Sequence, residues 1–446
     1  MPQHPMPESP GPEEGRDSES GVGPGQVPGA ASGSASRSGA ALGPTSHTGA
    51  APGEVSHPGA ARRGGDERIP VAVLGATGAV GQQFVRLLEG HPWFRLAVVA
   101  ASERSEGRLY ADAVRWIQET PIPAEAAGLT VQPTEPPLAG VPLVFSALDS
   151  RVAGPLEERF AQAGHLVVSN ARNHRMDPAV PLLVPEVNPG HLALLDRQTT
   201  PGAIITNPNC STIGLTLALT PLDQAFGLRR VQTTTLQAVS GSGLPGVSSL
   251  EILDNVLPHI DGEEEKMASE SLKILGSLEG QAQGGDGAGG GGGREGDGAR
   301  SEGPGVTPRT LPVGAQCTRV PVVDGHTQCV SVELETPAEP EAAAEVLRSF
   351  RGRPQGLGLP SAPRYPVHVL DGPDHPQPRL HRDLEGGMAV AVGRLRPCPI
   401  LHLRFVTVSH NTVRGAAGGA LLGGELAVAE GVLEREGRAN ARARGG

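Results

Sequence analysis

Cys210 stands in the string NPNCST at 207–212, a Pro-Asn turn that runs directly into an apolar helical stretch. Unpaired N–H groups and the dipole at a helix start favour a thiolate over a thiol, which makes Cys210 the candidate nucleophile. His326 follows the strand-breaking glycine of VDGH at 323–326, and this pattern predicts an imidazole projecting from a loop. Brought together, the two would form a Cys/His pair in which the imidazole serves as general acid and base. Cys317, Cys329 and Cys398 lie in or beside strand patterns and read as structural. A third group, DGEEEKM at 261–267, places Glu263 and Lys266 three apart on one helical face. Such a charge run is ordinarily a solvated helix start. Of 37 basic residues, however, only Lys266 and Lys273 are lysine, and the lysine at 266 singles that run out.

These groups need a scaffold. IPVAVL at 69–74 is a continuous apolar run of the kind buried in a parallel sheet. GATGAVG at 75–81 follows, then a helical stretch at 82–90 with Phe84, Val85, Leu87 and Leu88 on one face, then an apolar strand at 96–101. Strand, glycine-rich turn, helix and strand make a βαβ unit whose backbone N–H groups can face a pyrophosphate. At the end of its second strand, ASERSEG at 101–107 offers Arg104 and Ser105 where an NAD-specific enzyme would carry an acid for the ribose 2′-hydroxyl. Those two suit a 2′-phosphate better. Strands at 143–147 and 165–169 flank a helix at 155–164. A helix at 212–226, strands at 230–238, 318–323, 328–334 and 401–408, and a closing helix at 415–433 complete the pattern. The fold class expected is α/β, a doubly wound Rossmann-type parallel sheet followed by a second α+β domain.

Composition limits the rest. Much of the excess of Gly 63 and Pro 43 in 446 residues lies in 1–68 and 276–309, two stretches too poor in branched apolar groups to offset the entropy of ordering. Both are expected to be disordered, one as a leader and one as an insertion, and the remainder is enough for two domains. With 37 basic against 48 acidic residues, a formal charge of −11 and no arginine-rich stripe, nucleic acid is not an expected partner. No run of about 18 apolar residues is present to span a bilayer, and no charged-then-apolar signal opens the chain. A cytoplasmic protein is expected. Four scattered cysteines make neither a disulfide framework nor a metal knuckle, so no metal is expected.

Taken in order, eight strings resemble the aspartate-β-semialdehyde dehydrogenase family: GATGAVG at 75–81, ASERSEG at 101–107, RMDPAVPLLVPEVN at 175–188, NPNCSTI at 207–213, QAVSG at 237–241, EEEKM at 263–267, RVPVVDGH at 319–326 and VGRLR at 392–396. The resemblance runs from about 69 to 430, without the glycine-rich insertion. It implies an NADP-binding domain over 69–209, completed by 406–446, and a catalytic and dimerisation domain over 210–405 that carries the insertion. A homodimer is implied as well.

The family's roles, carried over position by position, make Cys210 the nucleophile and His326 its acid/base partner, with Gln237 positioning the acyl intermediate. Arg319 and Glu263 would hold the substrate's α-carboxylate and α-ammonium, since a planar guanidinium matches a carboxylate. Arg175 and Lys266 would bind the phosphate, with Asn170 beside them on the substrate side. Thr77, Gly78, Ala79, Val80, Arg104, Ser105, Ser240, Gly241 and Asn411 would contact NADP(H). The implied reaction is reductive dephosphorylation of 4-phospho-L-aspartate to L-aspartate 4-semialdehyde through a cysteine thioester, a step that feeds lysine, threonine and methionine synthesis. The chain departs from the family pattern at 170–174, at His410 and at Arg414, where the family usually has a lysine. Two alternatives stand beside this reading: an N-acetyl-glutamyl-phosphate reductase, which shares the fold and the thioester chemistry, and a nucleotide-binding paralogue that has lost catalysis.

Overall fold

The computed structural model describes residues 68–279 and 305–434. The expected leader, apart from its last residue, and residues 280–304 of the insertion lie outside the described residues. Six strands, β1 (Ile69–Leu74), β2 (Phe94–Ala101), β3 (Gln132–Pro133), β4 (Leu143–Ser146), β5 (Leu166–Ser169) and β6 (Ala203–Thr206), form a parallel sheet in the order β3-β2-β1-β4-β5-β6. The order reverses between β1 and β4, which opens the crevice where ligands of doubly wound sheets bind. β4, β5 and β6 are buried at every residue, as expected of strands covered on both faces. β3 and β6 were not legible as strands. β3 is only two residues long, and AIIT of β6 directly precedes the turn that carries Cys210.

Among the described residues, the α-helices of nine or more residues are α1 (Ala79–Leu87), α2 (Ser150–Gln162), α3 (Cys210–Phe226), α4 (Glu263–Ile274), α5 (Pro340–Ser349) and α6 (Gly418–Ala429). α2 starts five residues earlier than its apolar pattern suggests, because the Asp149 side chain accepts the N–H of Arg151 at 2.9 Å and caps it there. Gly75, between β1 and α1, has φ +71°, and a Cβ on it would stand 2.6 Å from the carbonyl oxygen of Ala147. Only glycine lets this turn close against the end of β4. No helix among the described residues is long and apolar enough to cross a membrane.

The second sheet contains β7 (Leu228–Gln237), β10 (Val313–Arg319), β11 (His326–Leu334), β12 (Val367–Leu370), β13 (Val390–Pro397) and β14 (Leu403–Ser409), in the order β10-β7-β11-β14-β13-β12. It is mixed: β10 runs parallel to β7 and β12 to β13, while β11 is antiparallel to both of its neighbours. A short ribbon, β8 (Ser277–Leu278) with β9 (Val306–Thr307), pairs the two ends of the insertion. Those ends are therefore ordered, which corrects the expectation of disorder over all of 276–309.

The strand expected at 318–323 is also displaced. Pairing with β7 runs from Val313 to Arg319 and stops there, so the apolar VPVV that follows is a turn and not a strand. Three apolar cores serve the two sheets among the described residues: one, with Leu74, Val144, Phe160 and Ile204, covers the α2 face of the first sheet, and the other two bear on the site. One gathers β1, β2 and α1 with Val413, Leu421, Leu422 and Leu426, so the chain returns to the first sheet after β14. The other packs α3 and α5 against β7, β11 and β14. α6 is helical despite its glycines because it is buried on nearly all sides, and packing overrides propensity there.

Candidate active site

Asn209 sets the start of α3. Its Oδ1 accepts the N–H of Ser211 at 2.9 Å and of Thr212 at 3.3 Å; its Nδ2 donates to Glu263 Oε1 at 2.7 Å, and its own N–H donates to Glu270 Oε2 at 2.7 Å. Cys210 is thereby the first helical residue, and it faces a cleft of about 400 Å³. Gly415 backs onto it: a Cβ at 415 would stand 2.6 Å from the Cβ of Cys210, so the segment after β14 can approach Cys210 only as glycine.

The Nε2 of His326 lies 3.2 Å from the Cys210 sulfur, and its Nδ1 accepts the N–H of Ala238 at 3.0 Å. The backbone donor assigns the tautomer. In the neutral ring Nδ1 is the acceptor and the proton sits on Nε2, pointed at the sulfur. His326 does not project from a loop, as the glycine before it suggested. It is the first residue of β11, paired with Ser409 and fully buried; the glycine ends one turn and strand pairing starts on the next residue.

Burial first, and then the Glu263 carboxylate, push the Cys210 thiol up to about 12, against an opposing pull from Arg175 and Arg319. Burial, reinforced by Arg319 and His410, draws His326 down to about 3. Near neutral pH the free protein therefore holds a thiol beside a neutral imidazole. Burial is the largest influence on the thiol and opposes the thiolate that the helix start favours.

The walls of the cleft gather the other substrate-side residues. Gln237 and Arg319 are register partners at the ends of β7 and β10. Gln237 donates to Glu263 Oε1 at 3.2 Å, and Arg319 donates through Nη1 to the carbonyl of Ala238 at 2.9 Å. Lys266 donates to Glu263 Oε2 at 3.3 Å. Glu263 is thus a buried carboxylate with three side-chain donors around it, and the charge run is not a solvated face on this side of α4. Arg175 donates to Glu270 Oε1 at 3.0 Å and to the carbonyl of Asn170 at 2.8 Å, while its buried Nε has no hydrogen-bond partner among the described residues. Asn170 accepts from Asn207 at 3.0 Å and lines the same cleft.

The cofactor-side residues divide into two groups. Val80, Ser240, Gly241 and Asn411 line the cleft with Cys210, and Thr77, Gly78 and Ala79 lead from β1 into α1. Asn411 donates to Ser240 Oγ at 2.7 Å and accepts the N–H of Gly325 at 2.8 Å. Both ends of its amide are therefore engaged within the protein, holding the backbone next to His326. Arg104, exposed, and Ser105, buried, lie in the turn after β2 and do not line the cleft. The start of α1 suits a pyrophosphate: no side chain caps it and its first turn carries no acidic residue, which leaves its N–H groups for an anion.

Four contributors were not singled out in the sequence. The N-cap asparagine at 209 could have been found from its place before an apolar helix, and Glu270 and Lys273 from the helical spacing that continues Glu263. The role of Gly415 depends on a tertiary approach and left no local signal.

The description "Semialdehyde dehydrogenase, NAD binding domain" fits residues 70–195, and "Semialdehyde dehydrogenase, dimerisation domain" fits 219–284 and 298–414. The second match skips residues within the glycine-rich insertion. An aspartate-semialdehyde dehydrogenase of Methanothermobacter thermautotrophicus is 46% identical over 365 residues, 80% of this chain and 98% of the relative. One from Cryptococcus neoformans is 44% identical over 82% of this chain and 99% of the relative. The crystal structure of the Candida albicans aspartate-semialdehyde dehydrogenase with NADP is 41% identical, with a TM-score of 0.69 over 81% of this chain and 98% of that one. By sequence over almost the whole length of these relatives, and by a fold that matches both domains, the chain belongs to the aspartate-semialdehyde dehydrogenase family of oxidoreductases.

Proposed function

We propose that this chain catalyses the reversible, NADP-linked reductive dephosphorylation of 4-phospho-L-aspartate to L-aspartate 4-semialdehyde through a thioester on Cys210. The step would feed lysine, threonine and methionine synthesis, and the enzyme would act as a cytoplasmic homodimer, a reading supported by the match to a dimerisation domain. The observation that carries the reaction is the 3.2 Å contact of Cys210 with His326 beside a cleft walled by Arg175, Arg319, Lys266 and Glu263. Two guanidinium groups, one ammonium and one carboxylate complement a substrate that bears a carboxylate, a phosphate and an ammonium. An acetylated amine carries no charge for Glu263 to meet.

Arg319 holds the α-carboxylate, Glu263 the α-ammonium, and Arg175 with Lys266 the phosphate. Asn170 adds a polar edge and Gln237 orients the acyl carbon. The Cys210 thiol gives its proton to solvent, and the thiolate, held by the Nε2–H of His326, bonds to that carbon as the carbon's bond to the phosphate oxygen breaks, while cations around the phosphate stabilise the charge that develops there. NADPH, when bound, supplies the hydride that reduces the thioester. Thr77, Gly78, Ala79 and Val80 present backbone to its pyrophosphate, Arg104 and Ser105 suit the 2′-phosphate, and Ser240, Gly241 and Asn411 border the reacting end. His326 keeps its proton on Nε2 and hydrogen-bonds the thiolate that leaves as the carbon–sulfur bond breaks, and that thiolate regains its proton from solvent.

The test runs the reaction in reverse. Purified protein is mixed with L-aspartate semialdehyde, phosphate and NADP, and absorbance of the reduced nicotinamide is followed. Phosphate-dependent reduction by the wild type, and none by Cys210→Ala that still binds NADP, is the expected result. Turnover of N-acetyl-glutamate semialdehyde instead would transfer the reading to the acetylated substrate, and binding of NADP without any turnover would leave a non-catalytic paralogue.

A further inference from the structure

One face of α4 carries Glu263, Lys266, Glu270 and Lys273, at helical positions i, i+3, i+7 and i+10. The first two border the substrate cleft. The second two are buried, at 2% and 5% exposure, and touch neither Cys210 nor the space in front of it. Glu270 uses both carboxylate oxygens: Oε1 accepts from Arg175 Nη1 at 3.0 Å, and Oε2 accepts the N–H of Asn209 at 2.7 Å. A single carboxylate therefore joins the guanidinium of Arg175 to the residue just before Cys210, which fixes the spacing between the two.

Lys273 acts on the backbone behind the same arginine. Its Nζ donates to the carbonyls of Arg175 at 2.8 Å, Asp177 at 2.7 Å and Val180 at 2.9 Å. Three acceptors converging on one point match the three N–H bonds of an ammonium and not the planar fork of a guanidinium. That geometry accounts for a lysine here in a chain that has only one other. Burial draws this ammonium down to about 8, with Asp177 and Glu270 holding it up.

We infer that Glu270 and Lys273 are positioning residues for phosphate: together they preset Arg175, side chain and backbone, at a fixed place relative to the nucleophile. The inference rests on the reading of Arg175 as a phosphate ligand. A group held in advance binds its ligand without the cost of ordering it, and the phosphate is the part of the substrate whose binding depends on this.

The experiment measures the Michaelis constants for phosphate, L-aspartate semialdehyde and NADP in the phosphorylating direction for wild type, Glu270→Gln, Lys273→Met and Arg175→Met. In Glu270→Gln one end of the amide must set N–H against N–H, at Arg175 or at Asn209. The expected result is a phosphate KM raised about tenfold in Glu270→Gln and Lys273→Met, with the KM values for semialdehyde and NADP within about twofold of wild type. Isosteric Glu270→Gln decides alone if Lys273→Met does not fold. A phosphate KM within about twofold of wild type in folded Glu270→Gln, or all three constants rising together, would overturn the inference. If Arg175→Met itself leaves the phosphate KM unchanged, the phosphate reading of Arg175 fails, a result distinct from failure of the two supporting residues alone.

Discussion

Ionising the sulfur of Cys210 works against its own surroundings. Burial and the neighbouring Glu263 carboxylate hold the thiol up to about 12, and a group titrating there gains about tenfold in thiolate for each pH unit below that value. Alkylation of the free protein by iodoacetamide should therefore accelerate about tenfold per unit from pH 7 to pH 10 without levelling off. A plateau below pH 8 would show a stabilised thiolate and refute this account. Glu263→Gln removes the charge that raises the thiol and should speed alkylation at every pH in that window, with rates compared under matched buffer and salt. The same residue-level logic applies to His326. With its Nδ1 occupied by the Ala238 N–H, the ring can take a second proton only by turning Nδ1 into a donor facing another donor. This agrees with a ring held down to about 3 and casts it as a hydrogen-bond donor toward the sulfur.

Among the elements, the two-stranded ribbon makes the most direct prediction. Leu278 pairs with Val306, the N–H of Glu279 donates to the carbonyl of Gly305 at 2.8 Å, and the N–H of Gly305 returns a bond to Glu279 Oε2 at 3.0 Å. Residues 279 and 305 are thus already opposite each other, as the ends of a hairpin are. Replacing 280–304 with Asn-Gly, the dipeptide that best closes a two-residue hairpin, should leave kcat and KM within about twofold of wild type; a loss of activity in soluble protein would give the insertion a role in the site. The ribbon also shows the limit of reading elements from sequence. The runs IPVAVL and LVVS were legible because strands buried on both faces are apolar throughout, and the glycine turn because its spacing has a fixed geometric purpose. β8, β9 and β3 are two residues each, too short for any period to register, and their pairing is set by distant partners. In the site, residues with distinctive chemistry such as Cys210, Glu263 and Lys266 stood out. Glu270 and Lys273 lay on the same face but were hidden, because a charged residue one turn further along a helix looks like solvated surface until something packs over it.

At the scale of the whole molecule, the segment 182–188 runs between the two cores that bear on the site: Leu182 and Val184 pack with that of the second sheet and Leu183 with that of the first. Glu186 in this segment meets Arg414, in the turn that leads from β14 back to α6, through two bonds of 2.8 and 2.5 Å, and both side chains are essentially inaccessible to solvent. A lysine at 414 would offer a point charge in place of this bidentate fork. Removing one partner leaves the other charge buried and uncompensated, so Arg414→Met should cost about 3–5 kcal/mol of stability, read from urea unfolding. Removing both charges should be far milder, and the double variant Glu186→Gln with Arg414→Met should recover most of that loss. Equal losses in the single and double variants would mean that packing, and not the stranded charge, sets the cost. The pair also bears on catalysis, because Gly415, the next residue, lies against Cys210 with no room for a methyl group. A folded Arg414→Met should therefore lose kcat as well, since the π-helical segment behind Cys210 is no longer anchored, and the double variant should stay slow even where its stability returns. Full activity in the double variant would show that Gly415 is held by its own packing alone and that the ion pair serves only to join the two halves.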